Sequence, residues 1–73
     1  MKLTIENTTE IVNLDGVAAR VWEGETETGV KVICFITRIA VAEGENHEQF
    51  RRELMEQRPP SQEVESFPKR LVL

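Results

Sequence analysis

The chain has a single cysteine, Cys34, and a single histidine, His47. One cysteine rules out a disulfide within the chain. One Cys with one His cannot supply the tetrahedral ligand set of a structural zinc site. The acidic residues are scattered, without the spacing of a calcium loop. There is no glycine-rich phosphate loop. No Ser-His-Asp arrangement is readable, because His47 is the only imidazole and nothing in the sequence orients it. Cys34 sits in the apolar run Val32-Ile33-Cys34-Phe35-Ile36, far in sequence from His47. It therefore reads as a buried small hydrophobe in a reducing compartment, without the base or electropositive setting a reactive thiol needs. The apolar runs fall well short of the ~20 residues of a membrane span. The opening Met1-Lys2-Leu3-Thr4-Ile5-Glu6 lacks the apolar core of a signal peptide. These absences lead to the expectation of a cytoplasmic protein that is not an enzyme, with no cofactor, no metal and no membrane contact.

What is present is a short acidic chain. Its 73 residues fit one domain, and 13 Asp and Glu against 9 Lys and Arg give a net charge of −4. That balance disfavours a long nucleic-acid duplex, whose binding is driven by Lys and Arg. A domain this small buries only about 60% of the surface its unfolded chain exposes. Without disulfide or metal, a partner chain is the expected additional support, and a homodimer or larger closed oligomer the expected assembly.

The element pattern predicts an α+β fold: a three-stranded antiparallel β-meander over residues 1–41, one α-helix over 46–58 packed on one face, and an extended tail or short fourth strand over 59–73. Leu3, Ile5, Ile11, Val12 and Leu14 lie among Thr, Asn and Glu, as in extended chain, with a weak point for a bulge at Asn7-Thr8-Thr9. Asp15-Gly16 is a type I′ hairpin signal and places Leu14 opposite Val17, Val12 opposite Ala19 and Ile11 opposite Arg20. Gly29 suits the left-handed position of a three-residue loop, which sets Glu25 opposite Lys31 and Val21 opposite Phe35. The third strand is expected over Val30–Val41. Asn46 caps a helix running from about His47 to Gln57, with Gln49 as the capping-box partner and Phe50 and Leu54 as its apolar stripe. Pro59-Pro60 ends it. A last strand is expected near Arg70–Leu73.

Period-two alternation sorts the sheet into two faces. One carries Val12, Leu14, Val17, Ala19, Val21, Ile33, Phe35, Ile39 and Val41, and is expected to take the helix. The other carries Ile11, Asn13, Ala18, Arg20, Trp22, Val32, Cys34, Ile36 and Arg38. Aromatic and Arg residues around an apolar centre have the composition of an interface core. Three coverings are open to that second face: the apolar tail, a subunit or protein partner, or a small ligand. Arg20, Trp22 and Arg38 are the candidate binding residues, for a partner or for an anionic ligand clamped by two guanidinium groups and stacked on the indole. Val32, Cys34, Ile36, Leu71, Val72 and Leu73 are the candidate oligomer contacts. Glu23, Glu25 and Glu27 form an acidic rim, and Arg51-Arg52 among Glu48, Glu53 and Glu56 read as a salt-bridged outer helix face.

The runs Gly16-Val17-Ala18-Ala19-Arg20-Val21-Trp22-Glu23-Gly24-Glu25-Thr26 and Phe35-Ile36-Thr37-Arg38-Ile39-Ala40-Val41, with Gln49-Phe50-Arg51-Arg52-Glu53-Leu54, Pro60-Ser61 and the closing Arg70-Leu71-Val72-Leu73, resemble small uncharacterised proteins encoded in bacteriophage and prophage genomes. The resemblance spans most of the chain and carries no functional residues with it. It implies a phage-borne accessory protein made in the bacterial host cytoplasm. The expected function is inhibition of a host protein, a defence protein by class. The alternatives are an oligomeric sponge for an anionic nucleotide signal and a minor structural or assembly protein of the virion.

Overall fold

The computed structural model describes residues 1–66. Strands β1 (Leu3–Leu14), β2 (Val17–Thr26) and β3 (Lys31–Ile36) form one antiparallel sheet in the order β1-β2-β3; helices α1 (His47–Leu54) and α2 (Gln62–Ser66) come after it in the chain. The fold is α+β, a meander followed by a helix.

Both hairpin registers are those the turn residues dictate. Asp15 and Gly16 have φ of 51° and 86°, the two left-handed centres of a type I′ turn, and Leu14 pairs with Val17. At the second turn Gly29 has φ 89°, Gly29 N and Val30 N donate to Thr26 O and Thr26 Oγ1, and Glu25 pairs with Lys31. Between Asn7 and Ile11 the pairing of β1 slips. Thr8, fully buried there, donates its hydroxyl to Val21 O at 2.8 Å and accepts from Glu10 N at 3.2 Å. The bulge is thus held by its own threonine, which satisfies backbone groups that the ladder no longer pairs. Gly24 lets β1 pass close, since a Cβ on it would overlap Thr4 O and stand 2.7 Å from Ile5 Cα.

The third strand is shorter than expected, ending at Ile36 and not at Val41. Beyond it the chain leaves the sheet to reach α1, and Ile39 and Val41 line a hollow with His47 and Phe50. Asn46 caps α1 by accepting Gln49 N at 3.0 Å, but the Gln49 side chain donates to Glu53 and not back to the cap. The helix also stops early, at Leu54 and not Gln57. Leu54 O accepts Asn7 Nδ2 at 2.7 Å, and Met55 N turns to Arg52 O. A side chain from the sheet thereby takes a carbonyl that one more helical turn would have used.

The larger correction concerns the face. Asn7 pairs with Trp22, and Trp22 with Cys34, so all three share one side of the sheet. Asn7 and Arg20 reach α1 and the residues after it from that side, so the helix lies over the Arg20–Trp22 face and not over the Val21–Phe35 face. The reason lies in the segment after α1. Arg58 joins the bulge of β1, with a parallel bridge to Thr8 and Thr9 N donating to Arg58 O at 2.9 Å. From there the chain passes to the opposite face and takes hold of Glu23. The expected extended tail is helical over residues 62–66, with Val64 N and Glu65 N bonded to Ser61 O. Ser61-Gln62-Glu63 after Pro59-Pro60 is a readable helix start, a polar cap followed by an acidic first turn. The expected strand at Arg70–Leu73 lies outside the described residues. Among the described residues, no helix is long and apolar enough to cross a membrane.

Candidate functional site

The core is small: among the described residues only Ala19 and Val21 are fully buried apolar side chains. Ile11, Ile39 and Met55 are exposed by 57%, 43% and 72%. Ile39 and Met55 are grouped on one cavity, whose walls do not include Ile11.

The grouping occurs where α1 stands off the sheet. Arg20, Trp22 and Ile36 form the floor of a cavity of about 240 Å³; Thr37, Arg38 and Ile39 leave the sheet along its rim; Phe50, Leu54, Met55 and Gln57 form the opposite wall. The three candidate binding residues, Arg20, Trp22 and Arg38, thus line one cavity. Their states differ. Arg20 is half-buried, and its Nη1 donates to Thr8 O at 3.2 Å and Gln57 Oε1 at 3.5 Å. Trp22 is half-buried between Asn7 and Cys34. Arg38 is exposed and makes no hydrogen bond or ion pair among the described residues.

Of the candidate oligomer contacts, Val32, Cys34 and Ile36 share the Trp22 face and are half-buried. The half-burial of Cys34 corrects the expectation of a buried thiol. Leu71, Val72 and Leu73 lie outside the described residues.

The acidic rim dissolves into separate pairings. Glu25 meets Lys31 at 3.6 Å and Glu27 meets Lys2 at 3.9 Å, both at exposed positions. Glu23, only 8% exposed, is the hub of a second cluster that the sequence pattern does not reveal. Its carboxylate accepts Arg58 Nη1 at 2.8 Å, Ser61 N at 3.0 Å, and Ser61 Oγ. Burial pushes the Glu23 pKa up, but the two Ser61 hydrogen bonds, the Arg58 hydrogen bond and the guanidinium charge outweigh it and hold the carboxyl below its ordinary range. Arg58 Nε also stands 3.9 Å from Glu6, which pairs with Glu23 across the strands. One guanidinium therefore relieves a like-charge pair directly opposite in the sheet. The three donors on Glu23 fix the chain after α1 to the sheet, so the cluster acts as a structural clasp. Among the described residues the expected salt-bridged outer face of α1 does not form: the side-chain pair found there is Gln49 donating to Glu53 at 3.1 Å.

Among the described residues no group of three or more His, Cys, Asp or Glu side chains is placed to hold a metal ion. Comparison with protein-family models, with curated proteins and with solved structures finds no match for this chain.

Proposed function

We propose that this protein works without catalysis, by binding another protein in the groove between α1 and the sheet, as a phage-encoded accessory protein that inhibits a host protein, in the defence class, within the bacterial cytoplasm. The observation that carries the reading is the make-up of the groove. Six apolar side chains, Trp22, Ile36, Ile39, Phe50, Leu54 and Met55, line it, with polar residues at its ends. That is the pattern of an interface core with a polar rim.

The alternative of a nucleotide sponge needs two guanidinium groups free to clamp an anion. Arg20 already spends Nη1 on Thr8 and Gln57, so of the pair expected to clamp the anion, Arg20 and Arg38, one is already engaged. That engagement favours a macromolecular occupant that enters with side chains.

The test uses capture from infected bacterial lysate by wild-type protein and by Met55→Glu and Ile39→Glu, two exposed positions on the groove. The reading expects a host protein retained by the wild type and lost by both variants. Equal capture by all three, release of an ultraviolet-absorbing small molecule from the wild type, or copurification with virus particles would each remove it.

A further inference from the structure

Resting on that reading of the groove, we infer that the segment it receives is acidic and amphipathic, with apolar side chains that enter the groove and Asp or Glu beside them. The cavity floored by Arg20 and Trp22 adjoins a second hollow of about 290 Å³, with Ile39, Phe50 and Leu54 in the walls of both. Arg20 and Arg38 border the first; His47 and Arg51 border the second. No Asp or Glu lines either one, in a chain with 13 acidic residues.

The acidic side chains are gathered elsewhere. Glu45 and Glu53 line a hollow on the other flank of α1, which shares the walls Val41 and Phe50 with the second one, and Glu6, Glu23, Glu25 and Glu63 line the polar cavity around Ser61. Among the described residues, the charged side chains that line the two joined hollows are Arg20, Arg38 and Arg51, with His47 beside them. Arg38 and Arg51 are exposed and make no ion pair among the described residues, so both guanidinium groups are available to carboxylates of an occupant. At ~0.15 M salt the net negative charge is screened beyond ~8 Å, and contacts at the rim decide selectivity. A basic segment is repelled at the rim, and a neutral one gains only the apolar contacts.

The chain has one Trp and no Tyr, so Trp22 emission reports the groove without background. The probes are synthetic peptides free of Trp and Tyr, each with the same Leu and Phe stripe, in a helical (i, i+4) and an extended (i, i+2) version. The remaining positions are all Glu, all Gln or all Lys. The Glu peptide of one version is expected to shift Trp22 emission saturably, with a Kd about tenfold or more below its Gln counterpart, while the Lys peptide gives no shift. Arg38→Glu with Arg51→Glu, whose retained fold is checked by circular dichroism, is expected to reverse the order. Equal affinities for the three charge types, or an order unchanged in the double variant, would overturn the charge inference and leave the groove as a protein-binding site. If no peptide shifts Trp22 and the double variant instead changes the mass seen by light scattering, a second copy is the occupant and the inference fails. If neither readout changes, the groove reading fails with it.

Discussion

Replacing Glu23 with Gln removes a charge that is 8% exposed and surrounded by donors. The carboxylate accepts from Arg58 Nη1, Ser61 N and Ser61 Oγ. An amide keeps one acceptor oxygen and turns its NH₂ toward a donor. At least one hydrogen bond is lost and the Arg58 bond loses its charge assistance, at about 1.5–3 kcal/mol for a bond to a charged group. Arg58 is 40% exposed along its side chain and still has Glu6 within 3.9 Å, so it recovers part of this. The net expectation is a loss of about 2–3 kcal/mol. In a domain of this size that is about half of the stability available, and a fall in Tm of roughly 10–20 °C. The sign with pH comes from the depressed pKa of Glu23. Its contribution is complete above the unfolded carboxyl pKa of ~4.3 and is lost as pH falls through the lower folded value. Urea denaturation followed by Trp22 fluorescence and circular dichroism, at pH 7 and at steps down to pH 3, gives both quantities. The gap between wild type and Glu23→Gln should be widest at pH 7 and shrink on acidification. A gap under ~0.5 kcal/mol at pH 7, within the range of ordinary surface substitutions, refutes the clasp; so does a gap that stays constant with pH.

Thr8→Val keeps the shape of a fully buried side chain but strands Val21 O and Glu10 N, and should cost about 1–3 kcal/mol in chemical denaturation, with Thr8→Ser recovering most of it. Gly24→Ala drives a methyl into the β1 backbone at Thr4 and Ile5 and should destabilise by about 1–3 kcal/mol or more, with loss of amide protection concentrated in Leu3–Glu6. Asn46→Ala removes the one side-chain acceptor at the start of α1 and should cost about 1 kcal/mol, seen as fraying of residues 47–50 in hydrogen exchange while the sheet keeps its protection.

The meander is legible in the sequence because its turns are chemically specific. Asp15-Gly16 and Gly29 tolerate positive φ, and each fixes a register that sets Leu14 against Val17, Val21 against Phe35 and Glu25 against Lys31. The bulge at Asn7-Thr8-Thr9 is legible as a place without apolar alternation. The side on which the helix lies is not. Phe50 and Leu54 suit either face, and the choice rests on Arg58 meeting the bulge and Ser61 meeting Glu23, contacts 35 or more residues apart in sequence. Local pattern carries no trace of such pairs. For the same reason Arg20, Trp22 and Arg38 can be gathered on one face from alternation alone, while the wall opposite them cannot be named.

The sheet and α1 are joined by an excursion that leaves β3 after Ile36 and returns at Arg58. Closing a loop of roughly 20 residues costs about 2.7 kcal/mol beyond a constant, from (3/2)RT ln n. The bonds that close it, Asn7 to Leu54, Thr9 to Arg58 and Arg20 to Gln57, return about 1 kcal/mol each. The Glu23 clasp holds the returning end beyond these bonds, and Phe50 and Leu54, both only half-buried, are the apolar anchors within the excursion. An occupant of the groove covers the exposed halves of those same two side chains. If the groove takes a partner as proposed, binding would also hold this excursion against the sheet, and a partner would raise the protection of residues 37–57 together with its own contacts.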